Sequence, residues 1–544
     1  MLSKNPSTNQ DQLTPEGHVL LSSFVTDTRG PIYVLNENLP MAISAAAMAR
    51  LSRCADDLRV LLLREFSPLP PPHDNTHAGK EIGLLRRVIT AYGDDSVQQL
   101  ANLYVVVQAP SNLLTKLLER PRIGAAYLEQ STRYILFDQK TISPGREQPH
   151  YRYVIPKELD REATAVYVTA MDKLFKNYSG VVNLLVDHLT INSSEPAEKR
   201  DLAWRNAIRA QACDAARGML PAATTSTVGI CASGQALDGL VMHLLAHPLQ
   251  EARDTGAAML TELRKVAPVF FERTDLPERG GATTAYIAGT RQHFVQLLEE
   301  KSNAGLVMCG AWTKDVELVN YWPKLETELV DSLLYPYGYA SSESSEELDA
   351  RELLTAYAGE RLNRRHHAGR MFEEPHYRFN FRTTYGEYRD LQRHRLVDAF
   401  EWQELDPSPM DFDIPELISE AGLDMEFKQS FQESLQLWAY LIDRFNSNTL
   451  AQYAVLFGFK INWCWTVNLR EATHIIELRT TPQGHPAYRR ICQKMYSEIA
   501  RVHPILASTI SFVNCGEDPE LTRLAAERAT AYKLEQQDRE AKRD

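Results

Sequence analysis

Apolar positions recur at helical spacing through MAISAAAMARLSRCADDLRVLLLRE, and this Ala- and Leu-rich stretch predicts helix over residues 41–65. SPLPPPHDN (67–75) must be a loop, because consecutive prolines cannot continue a helix. SVQQLANLYVVVQAPSNLLTKLLE (96–119) joins a β-branched run to a helix with a break near Pro110, so Asn102 to Gln108 is predicted as a strand. In HYRFNFR (376–382) the alternation of Tyr377, Phe379 and Phe381 suits a half-buried strand, the counterpart of the first. TDLPERGGATT (274–284) has turn chemistry, and GLVMCGAWTKDVELVNY (305–321) opens a second domain. The C-terminal PELTRLAAERATAYKLEQQDREAKRD is charged with sparse apolar positions, a helix fraying into a tail. The density of Ala, Leu and Glu predicts more helix than strand.

The pattern repeats. AMLTELRKVAPVF places Met259, Glu262, Val266 and Pro268 at the spacing with which KMYSEIARVHPIL places Met495, Glu498, Val502 and Pro504. Upstream, LLERPRIGAAYLEQSTRY carries Arg120, Arg122, Ser131 and Arg133, and DLQRHRLVDAFEWQEL carries Arg393, His394 and Arg395. Two copies of one domain are predicted, over 31–275 and 305–516, with a tail at 1–30, a linker at 276–304 and a charged C-terminal helix and tail at 517–544.

The arginine-rich element carries the chemistry. Guanidinium forks grip phosphate in a bidentate way and stay charged at any biological pH, and a serine beside them adds a donor to the same oxygens. A nucleotide phosphate is the ligand such a set suits; a solvated arginine face is the plain alternative. The net charge of −12 argues against a dedicated nucleic-acid binder but allows a local positive pocket. No apolar run of about 18 residues marks a membrane span, and the polar N-terminus lacks a signal core, so the expectation is a cytoplasmic protein without membrane partners. The seven cysteines (54, 213, 231, 309, 464, 492, 515) form no C-x-x-C pair and read as reduced thiols. There is no Walker A loop, no dinucleotide fingerprint and no H-E-x-x-H. His366, His367 and His376 lie near Glu373 and Glu374 without diagnostic ligand spacing, so no metal site is expected.

These residues resemble the signature of the flavin-dependent thymidylate synthases (ThyX), R-H-R-x2-S-x-N-x2-S-x-R. The second half supplies R-H-R as Arg393, His394 and Arg395; the first supplies the terminal S-x-R as Ser131 and Arg133, with Arg120 and Arg122 for R-x-R. NLREATHIIELR resembles the second block of the family, with Asn468, Arg470, His474 and Arg479 on it. The departures are complementary. The first copy has Pro121 for the central His, an extra residue such as Gly124, Ala126 and Leu128 for Ser and Asn, and Ser233, Gln235, Gly239 and Leu244 in the second block. The second copy has Asp398, Phe400, Gln403 and Leu405 in place of S, N, S and R.

The resemblance implies α+β domains in tandem, each a mostly antiparallel sheet with long helices, related by a pseudo-two-fold. It implies reductive methylation of dUMP to dTMP with FAD, NADPH and 5,10-methylenetetrahydrofolate. Because the site of the family is assembled from several subunits, the remnants would form one composite site, in a homodimer mimicking the tetramer. Arg120, Arg122, Ser131, Arg133 and Arg479 would bind the nucleotide, with Ser131 and Arg479 closest to the chemistry. Arg393, His394, Arg395, Asn468, Arg470 and His474 would line the flavin. A flavoprotein of this fold acting on another pyrimidine nucleotide, and a non-catalytic binding protein, are the other readings.

Overall fold

A computed structural model describes the chain except residues 5, 7–10, 52–53, 55, 68, 70–79, 88–94, 133–134, 142–148, 303–313, 341–348, 519–520, 522 and 542–544. Most of the expected 67–75 loop therefore falls outside the described residues. Two compact units divide the chain, and each draws on separated segments. Unit 1 comprises 1–107, 117–128 and 228–306, and unit 2 comprises 108–116, 129–227 and 307–544.

In unit 1, the N-terminal segment expected as a tail carries an antiparallel hairpin of β1 (Leu2–Lys4) and β2 (Asp11–Leu13). The helical stretch predicted over 41–65 is two helices, Met41–Leu51 and Leu58–Glu65. Asp57 separates them: its carboxylate accepts from the Arg59 amide and caps the second helix, a role in which Asp competes well with helix continuation.

The predicted first strand is longer than expected. β3 (Asn102–Ser111) runs through Pro110, and Ala109 bends it with a φ of 57°. A short helix, α1 (Asn112–Leu118), then β4 (Ala125–Glu129) and the long α2 (Arg161–Asn192) follow. After α3 (Leu202–Ala216) come β5 (Thr225–Ser233), α4 (Gly234–Leu245), α5 (Gln250–Val266) and α6 (Gly280–Ser302). The helix α6 occupies most of the segment expected as a linker.

The second copy repeats this order. An edge strand β6 (Val316–Trp322) precedes β7 (His376–Thr384), α7 (Tyr385–Leu391) and β8 (Val397–Trp402). The long α8 (Asp424–Phe445), β9 (Lys460–Asn468), α9 (Leu469–Arg479) and α10 (Pro486–Val502) complete it, and a C-terminal helix spans Leu524–Ala541. The hydrogen-bonded orders match: β3-β5-β4 in one sheet and β6-β7-β9-β8 in the other. All three pairings of the second sheet are antiparallel, with His376 opposite Asn468 and Thr384 opposite Lys460. Its inner face is aromatic: Phe381 stacks on Trp463 with ring centroids 3.9 Å apart, and Trp463 meets Trp465 edge-on at 5.2 Å.

Equivalent segments of the two copies meet inside unit 2. The Ala222 amide donates to the Val455 carbonyl at 2.7 Å, Phe457 to Leu220 at 2.8 Å and Gly458 to Gly218 at 2.9 Å. Gly458 allows this approach; a Cβ on it would lie 3.0 Å from the Gly218 carbonyl oxygen and closer still to the Phe431 ring. The long helices α2 and α8 also pack, with Lys173 2.6 Å from Glu433.

Candidate functional site

The site is built in unit 2 where the short helices leave their strands. Thr384 caps α7 by accepting from the Glu387 amide, and the Glu387 carboxylate returns to the Thr384 amide at 2.9 Å. This reciprocal box starts the helix at the last residue of β7. One turn later α7 presents Arg389 and Asp390, and the chain leaving it presents Arg393 and His394. The equivalent helix α1 presents Lys116.

These cations gather around one carboxylate. Glu129, at the end of β4, is fully enclosed; Lys116 Nζ lies 3.1 Å from its Oε2, an Arg389 nitrogen 3.1 Å from its Oε1 and an Arg393 nitrogen 3.6 Å from its Oε2. Burial alone would raise its pKa, but the fields of Lys116, Arg389 and Arg393 prevail and hold the carboxyl well below the usual range. The Arg389 guanidinium also lies over the Phe457 ring, 4.4 Å from its centroid.

Asp390 extends the cluster. Its carboxylate accepts from Arg217 at 2.7 Å, between side chains 5% and 12% exposed, and lies 3.8 Å from Arg393. Its backbone carbonyl accepts from Arg479 at 2.7 Å, while Arg479 Nε donates to His394 Nε2 at 2.9 Å. Tyr488 lies under the Arg479 guanidinium, 5.4 Å from its centre. His394 is buried; burial, then the charges of Arg479, His474 and Arg393, push its pKa well below the ordinary value. Its contact with Glu471, 3.5 Å from Nδ1, is thus that of a neutral imidazole and not an ion pair. Burial pushes the Glu471 carboxyl up to about 7 against the pull of Arg395 and Arg470.

The repeat permits a comparison of positions. Helices α1 and α7 begin directly after equivalent strands, so Leu117 matches Asp390. Ser233 and Asn468 both cap the helix after the central strand, so Leu244 matches Arg479 and Ala236 matches Glu471. At the same distance before those caps, Gln452 stands where Arg217 stands. Arg217, Asp390, Arg479 and Glu471 thus have Gln, Leu, Leu and Ala as their counterparts.

Of the residues singled out in sequence, Arg393, His394 and Arg479 are brought together, and the His474 ring stands 5.8 Å from that of His394. Arg395 is exposed, its charge reaching Glu471. Asn468 accepts from the Glu471 amide at 2.8 Å as the cap of α9, and Arg470 donates to the Ala368 carbonyl at 3.1 Å and to Glu373 at 3.3 Å. Ser131 is half-buried in unit 2, two residues beyond Glu129. Arg133 lies outside the described residues. Arg120 and Arg122 belong to unit 1, where Arg120 is exposed and its charge, secondary to burial, disfavours protonation of His243. Sequence reasoning missed Lys116, Glu129, Arg217, Arg389, Asp390 and Glu471; the charged residues flanking R-H-R and preceding Ser131 were the available signal. Among the described residues no group of His, Cys, Asp and Glu could hold a metal ion, and no described helix is long and apolar enough to cross a membrane.

The donor set suits a flavin dinucleotide in part. Arg393 and Arg395 are cations at the accessible edge of the cluster, and His474 is a half-buried ring whose burial, ahead of the charge on His367, lowers its pKa. Asn468 and Arg470 make protein contacts first.

With this geometry in place, the comparisons identify its class. The sequence model of the family described as "Thymidylate synthase complementing protein" matches residues 40–269 and 317–505, so both copies are covered and the chain belongs to this family, the ThyX family. A UPF0159 protein of Chlamydia muridarum is 30% identical over 97% of this chain and 99% of its own length. The UPF0159 protein Ta1429 of Thermoplasma acidophilum is 30% identical over 89% of this chain and 97% of its own. Among solved structures, the UMP/dUMP methylase PolB of Streptomyces cacaoi bound with 5-Br dUMP matches 36% of this chain and 94% of its own, at 16% identity and a TM-score of 0.30. ThyX of Helicobacter pylori with FAD and dUMP matches 36% of this chain and all of its own, at 15% identity and a TM-score of 0.28. The family assignment rests on the sequence match.

Proposed function

We propose that the chain is a flavin-dependent thymidylate synthase that converts dUMP to dTMP, with 5,10-methylenetetrahydrofolate as carbon donor and NADPH as reductant, at one composite site per chain. The supporting observation is the cluster in which Glu129 of the first copy meets Arg389 and Arg393 of the second, and in which Asp390 links Arg217 of the first copy to Arg479 of the second.

Four cations (Lys116, Arg217, Arg389 and Arg393) surround two carboxylates, Glu129 and Asp390, and Arg479 adds a fifth on the Asp390 backbone carbonyl. The surplus positive charge in a largely buried site favours a dianionic phosphate. Arg479 uses Nε and Nη2 on the protein; its remaining edge makes no hydrogen bond to a described residue and is the natural donor to a pyrimidine carbonyl, where charge builds during attack at the ring. Ser131 and Arg133 follow Glu129 and would complete the phosphate contacts. Arg393, Arg395, Asn468, Arg470 and His474 would hold FAD, which when bound supplies the hydride chemistry that no side chain provides; His394, expected to line the flavin, is buried behind them with its ring nitrogens turned to Arg479 and Glu471. Two chains would associate as a pseudo-tetramer.

The test is direct. Purified protein should carry or take up FAD and convert dUMP, in preference to UMP and dCMP, to the 5-methyl product only when folate donor and NADPH are both present. Absence of flavin binding and of turnover with all three nucleotides would reject the proposal.

A further inference from the structure

Both ring nitrogens of His394 are engaged. Nε2 accepts from Arg479 Nε at 2.9 Å, and because an arginine is always protonated, Nε2 must be bare. The one proton of the neutral ring is then on Nδ1, facing Glu471 Oε1 at 3.5 Å, long for a hydrogen bond but close enough for the charge to act on the N–H dipole. Resting on the reading that Arg479 contacts the nucleotide, we propose that Glu471 is a positioning residue: it selects the Nδ1–H tautomer of His394, and that tautomer fixes the guanidinium of Arg479.

The other tautomer would set an Nε2–H against the Nε–H of Arg479, two donors with no acceptor. An ionised Glu471 disfavours it by attracting the proton to Nδ1. A protonated Glu471 does the reverse, since its O–H can donate to a bare Nδ1. In that exchange the carboxylate takes one proton from solvent, the imidazole proton moves from Nδ1 to Nε2, and the ring stays neutral. The Glu471 carboxyl, pushed by burial to about 7, makes the exchange accessible near neutrality.

The surroundings are consistent with a pair tuned for this. Arg393 and Arg395 face it from the chain after α7, and Arg470, His474 and Arg479 from α9 itself. His367 and Glu373 act through His474 and Arg470 from the preceding segment, and Tyr488 and Cys492 touch or sense Arg479 from α10. Besides Glu471 itself the carboxylates are Glu373, on Arg470, and Glu477, which acts on His474 together with the charge of Arg364. The repeat gives an independent indication. Ser233 caps α4 by accepting from the Ala236 amide, as Asn468 does from the Glu471 amide, so capping does not require the glutamate. The glutamate and the arginine are both absent from the first copy, as Ala236 and Leu244.

The experiment uses full-length protein with 15N-labelled histidine, the His394 signals being assigned by their loss in His394→Gln. Two-bond proton–nitrogen spectra should show the Nδ1–H form at pH 8 and a growing Nε2–H form towards pH 6. Glu471→Gln should abolish that pH response and Glu471→Asp should retain it. In calorimetric titrations the Kd for dUMP should rise several-fold more between pH 8 and pH 6 in the unaltered protein than in Glu471→Gln; the variant controls for titration of the phosphate itself. A Nε2–H tautomer at pH 8, or a Glu471→Gln protein with unchanged tautomer and pH profile, overturns the proposal. A tautomer response as expected with no dUMP binding at any pH supports the relay and rejects the nucleotide reading alone.

Discussion

Glu129 and Arg389, 260 positions apart and on different copies of the repeat, are joined at 3.1 Å as a buried pair. A carboxylate so buried is tolerable only with its cations in place. Glu129→Gln, which strands Lys116, Arg389 and Arg393, should therefore cost about 3–5 kcal/mol of stability near neutrality. The folded pKa is depressed, so the contribution is full above the ordinary glutamate value of 4.5 and shrinks as pH falls below it. Denaturant unfolding at pH 7 and pH 3.5 should show the gap between the two proteins narrowing in acid.

Glu387 has the opposite sign. Burial raises its carboxyl to about 7, against the Thr384 amide and Arg217. Its ionisation costs stability from pH 4.5 upward, in full above about 7. Glu387→Gln keeps an acceptor for the Thr384 amide, so it should raise Tm at pH 8 and leave it nearly unchanged at pH 5, as thermal scans would show.

Replacing Arg217 by its repeat counterpart, Arg217→Gln, removes the cation 2.7 Å from the buried Asp390 carboxylate and should destabilise by about 3–5 kcal/mol. Adding Asp390→Leu, the other counterpart, should recover much of that stability but not nucleotide binding. Unfolding curves paired with calorimetric titration separate the two effects.

At Gly458 a Cβ would strike the Phe431 ring and press on the Gly218 carbonyl oxygen of the other copy. Gly458→Ala should lower stability by about 1–3 kcal/mol through forced displacement, measurable by urea unfolding, without changing the charges of the cluster.

Much of this was legible in the chain itself. The alternation of Tyr377, Phe379 and Phe381 marked β7, the β-branched run marked β3, and the likeness of NLREATHIIELR to a block of the family marked the segment that forms the cap and helix from Asn468 to Arg479. The central strands β5 and β9 were not marked, although Ile461, Trp463, Trp465 and Val467 alternate along β9, and Val228, Ile230 and Ala232 along β5, as strand residues with one buried face do. Arg393, His394 and Arg479 were found because they sit in motifs. Glu129, Arg217 and Asp390 were not, because their meaning lies in partners far along the chain, and charge–charge pairing across a fold leaves no local signal. The break at Asp57 was hidden by composition read without its cap, and the helix over Gly280–Ser302 by the turn chemistry of the Pro and Gly residues at its start.

The central claim is that one chain holds one nucleotide site made from both copies. Binding stoichiometry tests it most directly: calorimetric titration of the purified full-length protein with dUMP should give one site per chain, lost in Arg479→Ala. Two equivalent sites per chain, or a single site that survives Arg479→Ala unchanged, would contradict it.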